Sequence, residues 1–200
     1  MFMKLQGRQS LVVGAGRVGE PKISGLADTG AQVRVVALEA SAAVQEWAAA
    51  GKIRLELRPY SDGDLDNVFL AVVATSSPAL NAAIYQAAQQ RGVLCNVVDD
   101  PPCCDFFYPA VVQRGDLQIA VSTSGQSPSL AQKLRQQLDL QFGPGYAHWL
   151  AELGATRREI LASALHPDRK RELLHSLASR EAFHAALAED SANQQRRETA

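Results

Sequence analysis

The stretch Ser10-Leu11-Val12-Val13-Gly14-Ala15-Gly16-Arg17-Val18-Gly19 decides how the rest of this chain is read. Its first half is a short apolar run ending in glycine, the mark of a strand buried on both faces. Residues 17–29 then suit a helix that stops at Gly30-Ala31. Gln32-Val33-Arg34-Val35-Val36-Ala37 follows as a second strand rich in β-branched side chains. Three glycines at this spacing alone say little. Placed between a strand and a helix, with another strand following, they make residues 10–39 a dinucleotide-binding unit.

Each glycine in that loop has a physical task. Gly14 permits the tight turn, Gly16 lets the backbone approach a pyrophosphate, and Gly19 allows helix and strand to pack closely. The helix N-terminus offers unpaired N–H groups and the positive end of its dipole to the phosphates. An acidic residue about 20 positions on is expected at the ribose hydroxyls. Glu39 fills that place, with Leu38 covering the adenine side. Pro21 complicates the picture, because proline within the first turns removes an N–H and clashes with the preceding turn. It is tolerable if the helix begins near Glu20, which displaces the dipole end from the phosphates. The alternative reading of the loop is a degenerate unit that binds nothing.

Downstream the alternation repeats. Ala42 to Ala50 reads as a helix, and Ile53-Arg54-Leu55-Glu56-Leu57 alternates as an edge strand. Val68 to Thr75 is the most continuous apolar strand and is expected in the middle of the sheet. Pro78 opens a helix to Arg91, and Val93 to Asp99 is another strand. Strands alternating with helices over short links predict a parallel, doubly wound α/β sheet of Rossmann type. After Asp99 the pattern changes. Tyr108–Gln113 and Leu117–Ser122 flank Arg114-Gly115-Asp116 as a hairpin, and Ser127-Pro128 starts an amphipathic helix through Leu140. Gly143-Pro144-Gly145 breaks the chain, and Tyr146 to about Ala188 is helical with an interruption at His166-Pro167. The stretch from Glu189 to Ala200 is polar and expected to fray.

The overall composition excludes several classes. The 200 residues are 46% hydrophobic and 20% charged with net charge −1, so no basic domain suggests nucleic acid as a partner. The start, Met1-Phe2-Met3-Lys4-Leu5-Gln6, has no signal pattern. No run approaches the roughly 18 apolar residues of a membrane span. A cytoplasmic protein with no membrane partner is expected. Cys95, Cys103 and Cys104 are odd in number without metal-type spacing, and His175 and His184 fall on different helix faces, so no metal site is expected.

Several segments in order carry a resemblance. They are the glycine loop, Ala74-Thr75, Cys95-Asn96-Val97-Val98-Asp99, Phe107-Tyr108-Pro109-Ala110 and Ser124-Gly125-Gln126-Ser127-Pro128. From Leu5 to about Ala188 the chain resembles the precorrin-2 dehydrogenase/sirohydrochlorin ferrochelatase family, in the stand-alone form of the sirohaem-synthase N-terminal module. The resemblance implies an NAD-binding Rossmann domain (1–112), a dimerisation region built on the hairpin (113–143) and a C-terminal helical domain (144–200), assembled as a homodimer. It implies oxidation of precorrin-2 to sirohydrochlorin with NAD and, in two-activity members, insertion of Fe2+. NAD contacts map onto Gly14, Gly16, Arg17, Val18, Leu38, Glu39 and Thr75, and the essential aspartate maps onto Asp99. Ser127 matches a serine that is phosphorylated in some members. The chain departs from the family at Ala15, usually glycine, at Pro21, usually helix-compatible, and in the segment Asp100-Pro101-Pro102-Cys103-Cys104.

The chemistry suits those residues. Dehydrogenation needs a hydride acceptor and a base for a proton, and a carboxylate at the C-terminal end of a parallel strand sits where such folds bind ligands. Asp99 is that candidate and Asp100 the fallback; the plain alternative is that Asp99 only starts a turn. A polycarboxylate substrate calls for cations, for which Arg17, Lys22, Arg114 and Lys133 are placed, and for N–H donors. Ser127 heads a helix and reads first as its N-cap, with a second role at the substrate. Two other functions fit the same residues: a non-catalytic NAD-responsive regulatory module, and a tetrapyrrole chelatase without dehydrogenase activity.

Overall fold

The computed structural model describes residues 2–179 and 181–186. They form two compact units that divide after Phe107. In the first unit five strands run parallel: β1 (Gln9–Ala15), β2 (Gln32–Ala40), β3 (Arg54–Leu57), β4 (Leu70–Val73) and β5 (Leu94–Val97). Their order is β3-β2-β1-β4-β5, with β3 at the edge as its alternating pattern predicts. β4 is wholly buried and lies next to β1, which takes the middle of the sheet.

Strand periodicity explains the two layers, because successive side chains point to opposite faces. Val12 and Val72 pack with Ile23 and Leu26 of α1 (Glu20–Asp28) and Val44 of α2 (Ala42–Ala49). Leu11, Val13, Ala71 and Val73 pack on the other face with Ile84, Ala87 and Ala88 of α3 (Pro78–Arg91). Leu11, Ile23 and Ile84 have no solvent exposure, so each stabilises the unit by about 1.5–3 kcal/mol relative to an exposed position. Ser77 caps α3 by accepting the Leu80 N–H at 3.3 Å, and left-handed Gly92 ends it.

Past β5 the chain returns along the sheet, which the sequence reading did not anticipate. Pro101–Cys103 form one 3-10 turn, and Cys104 bridges back to Asn96. The Asn96 side-chain amide donates to the Phe106 carbonyl at 2.8 Å, and the Asp105 carboxylate accepts the Cys95 N–H at 2.8 Å. All three cysteines are free thiols. Burial pushes the Cys95 thiol up to about 12.

The second unit begins with an antiparallel hairpin of β6 (Ala110–Arg114) and β7 (Leu117–Val121). Gly115, at φ 57, and Asp116 form its two-residue turn. Residues 110–112 pair with β7, so they go with the hairpin, and the expected division at 112 falls within a strand. Helices α4 (Pro128–Gln141), α5 (Gly145–Ala162) and α6 (Pro167–Leu177) follow. Phe142, Tyr146, Trp149 and Phe183 form an aromatic cluster with ring centroids 4.0–5.8 Å apart. The expected fraying from Glu189 onward lies outside the described residues. Among the described residues no helix is long and apolar enough to cross a membrane.

Candidate dinucleotide site and the aspartate after β5

The glycine loop joins the C-terminal end of β1 to α1. At Gly14, φ is 99°, and a Cβ there would run into the Ala74 carbonyl at the end of β4. A Cβ on Gly19 would collide with the Gly14 carbonyl, so this position serves close packing. Gly16 is different: a Cβ on it would meet nothing within 4 Å. The space a side chain would fill there is the space a pyrophosphate needs.

The Glu20 N–H donates to the Gly16 carbonyl at 3.0 Å, so the N–H groups of residues 17–19 precede the first helical bond of this turn. The regular helix begins at Glu20, which puts Pro21 at its second position. At that position a backbone N–H has no acceptor within the helix itself, so the proline costs the helix no internal bond. The condition that makes Pro21 tolerable is met, and the winding of residues 16–20 keeps N–H groups at the loop. Glu20 also ties the loop to the next connection. Its carboxylate accepts the Ser41 hydroxyl at 2.6 Å, and Ser41 caps α2 by accepting the Val44 N–H at 3.4 Å.

A cavity of about 500 Å³ opens over the C-terminal ends of β1, β2, β3 and β4. Of the residues expected at a dinucleotide, Gly14, Gly16, Leu38, Glu39 and Thr75 line it, while Arg17 and Val18 do not. Leu38 is 72% exposed, a large apolar surface offered to this cavity. Thr75 Oγ1 lies 2.5 Å from Asn81 Oδ1 and accepts the Ser77 N–H at 3.2 Å, which fixes the β4 end. The lining also holds Arg58, Pro59, Tyr60, Ser77 and Leu80, which the motif did not point to. Burial raises the Tyr60 phenol to about 12, with the nearby Asp62 charge acting the same way. The residues present fit a dinucleotide: a cradle without side chains at Gly16, an acceptor at Glu39 and an apolar wall at Leu38.

Asp99 follows Val98 at the C-terminal end of β5, exposed and left-handed at φ 63, a conformation non-glycine residues seldom adopt. It does not line the cavity. Across the end of the sheet, half-buried Lys22 of α1 has its ammonium pKa lowered by burial, while the charge of Asp99 raises it. A carboxylate and a cation therefore share this end of the unit.

In the second unit Ser127 caps α4, accepting the Leu130 N–H at 3.2 Å. Arg114 donates to the Asp139 carboxylate at 2.8 Å and the Asp139 carbonyl at 3.0 Å, and its buried Nε has no hydrogen-bond partner among the described residues. Among the described residues no group of three or more His, Cys, Asp or Glu could hold a metal ion.

Residues 1–110 match the family described as "Putative NAD(P)-binding", and residues 114–139 match the central domain of sirohaem biosynthesis proteins. The solved structure of SirC, precorrin-2 dehydrogenase, superposes with a TM-score of 0.81 at 30% identity, covering 98% of this chain and 96% of that one. The chain belongs to the precorrin-2 dehydrogenase/sirohaem-synthase family. Curated relatives include siroheme synthase 1 of Yersinia enterocolitica, 45% identical over 80% of this chain and 34% of the relative. Siroheme synthase of Methylococcus capsulatus is 39% identical over 86% of this chain and 36% of its own length. The chain thus spans about a third of the curated siroheme synthases it matches.

Proposed function

We propose that this protein oxidises precorrin-2 to sirohydrochlorin with NAD. The observation that carries the reading is the pairing of a side-chain-free cradle at Gly16 with a left-handed carboxylate, Asp99, at the same edge of one parallel sheet. Ligands of open α/β sheets bind at that edge. NAD supplies the hydride acceptor. Gly14 and Gly16 admit the pyrophosphate, Arg17 and Val18 contribute backbone N–H groups beside it, Glu39 accepts from the ribose hydroxyls, and Leu38 covers the adenine.

Loss of two electrons as hydride leaves one proton to be removed from the macrocycle. Asp99 takes it, as the carboxylate past β5, and Lys22 balances the charge of that carboxylate between turnovers. In the second unit Arg114 and Ser127 are assigned to the substrate carboxylates. Arg114 is already engaged by Asp139, which makes Ser127, with a hydroxyl hydrogen to donate, the stronger of the two. We extend the reading to Fe2+ as a second substrate, because insertion requires removal of two pyrrole protons and Asp99 is the base at hand. The hairpin region, 113–143, is assigned to homodimerisation; Leu130 and Leu134 are 48% and 37% exposed there.

Mixing the full chain with precorrin-2 and NAD under anaerobic conditions should yield NADH and the sirohydrochlorin spectrum. Asp99→Ala should stop turnover while sparing NAD affinity. Normal tetrapyrrole binding without NADH formation would leave the chelatase reading. Nucleotide binding without tetrapyrrole binding would leave the regulatory one. Fe2+ uptake by sirohydrochlorin and the mass in solution test the two extensions separately.

A further inference from the structure

The β3 end of the cavity carries an arginine whose hydrogen bonds are all committed elsewhere. Arg58 Nε donates to the Glu56 carboxylate at 3.0 Å. Nη1 donates to the Pro59 carbonyl at 3.0 Å and to Asp64 Oδ2 at 2.9 Å. Nη2 donates to Asp64 Oδ1 at 2.6 Å and to the same Glu56 oxygen. A guanidinium has five N–H groups in one plane, and these contacts use every one. Asp64, 3% exposed, is held in turn by Arg34 at 2.8 Å and by the Ser61 N–H at 2.9 Å, so the plane of Arg58 is fixed.

A guanidinium with a saturated edge still offers its flat faces, which stack on aromatic rings. Arg58 lines the cavity beside Pro59 and on the same wall system as exposed Leu38. We propose that Arg58 is the stacking platform for the adenine of the dinucleotide, and that its closed edge, together with Glu39, makes the site reject a ribose 2′-phosphate. The proposal rests on the dinucleotide reading above. An arginine near this ribose ordinarily accommodates the 2′-phosphate through its N–H groups. Here no N–H remains to do so. Arg34 and Arg58 are engaged by Asp64 and Glu56, the latter also pairing with Arg54, so the Glu39 carboxylate supplies the charge that meets the ribose. A rivet for the β3–β4 connection explains the Arg34–Asp64 half of the network, yet it does not require Arg58 to form cavity wall.

Titration calorimetry on the full chain with NAD, NADP and nicotinamide mononucleotide tests this. Arg58→Ala should weaken NAD binding about five- to tenfold and leave the mononucleotide, which has no adenine, within about twofold. Arg58→Lys should lose nearly as much as alanine, because it keeps the charge and lacks the plane. Glu56→Ala releases two N–H groups and one negative charge, so it should raise NADP affinity by roughly fivefold or more relative to NAD. Should Arg58→Ala fail to fold, Arg58→Lys and Glu56→Ala carry the test. Unchanged NAD affinity in Arg58→Lys, or no gain of NADP binding in Glu56→Ala, overturns the proposal. A wild-type chain that binds no dinucleotide overturns the underlying reading and this proposal with it. A wild-type chain that binds NAD tightly, with Arg58 variants that do the same, overturns only the platform.

Discussion

Replacing Asp64 by asparagine tests the charge network on which the β3–β4 connection is built. The carboxylate accepts from Arg58 through both oxygens, from Arg34 and from the Ser61 N–H. The Arg58 hydrogen bonds hold its carboxyl well below the usual carboxylate range, against the opposing effect of burial. Asparagine keeps the shape, but it removes the charge and turns an amide donor toward the guanidinium donors. Breaking one partner of a buried ion pair costs about 3–5 kcal/mol. The Arg34 and Arg58 side chains are 23% and 37% exposed, so water recovers part of that, and about 2–3 kcal/mol remains. In a melt this corresponds to a fall on the order of 8 °C. The pH dependence has a definite sign. A group whose folded pKa is depressed contributes stability that is present above its unfolded value, near 3.9, and lost as the pH falls below it. Urea unfolding of both proteins should show a constant gap from pH 8 to pH 5 that narrows below about pH 4. A gap under about 0.5 kcal/mol at neutral pH, or one that widens on acidification, would refute the reasoning.

Other outcomes follow from the loop, the strand end and the buried thiol. Gly16→Val should leave the melting temperature within about 2 °C of wild type while weakening NAD at least about tenfold, measured by calorimetry, because its side chain occupies open cradle rather than packed core. Gly19→Ala should instead lose about 1–3 kcal/mol of stability in urea unfolding, since its Cβ meets the Gly14 carbonyl. Asp99→Gly should gain on the order of 1 kcal/mol by relieving the left-handed backbone and lose turnover in the NADH assay; a stable, fully active variant would remove Asp99 from the mechanism. Cys95, raised to about 12 by burial, should resist alkylation in the folded protein up to about pH 10 and react after denaturation, as followed by mass spectrometry.

How much of this was legible beforehand depends on how local each cause is. The α3 boundaries were readable because Ser77, Pro78 and Gly92 each act within one turn of themselves. The loop was readable because Gly14 and Gly19 meet backbone and packing requirements that no other residue meets. Pro21 was legible as a constraint, and its resolution needed the start of the helix, which is set by the bond from the Ile23 N–H to the Gly19 carbonyl. Arg58 was missed because its partners are Glu56, two residues earlier, and Asp64, six later, across a connection whose path nothing in the pattern specifies. A charged triad around the end of an edge strand was the signal available. The return of Cys104 to Asn96 was likewise illegible: Pro101-Pro102 marks a break, but not the direction in which the chain leaves it.

The hydrogen bond between Ser41 and Glu20 has a mechanical consequence. Glu20 opens the helix that follows the glycine loop, and Ser41 caps the helix that follows β2. One clasp therefore joins the two rims over which the halves of a dinucleotide would lie. Ordering either rim orders the other. The adenosine and pyrophosphate portions then dock as one event, so two fragments added together should bind more tightly than their separate affinities predict.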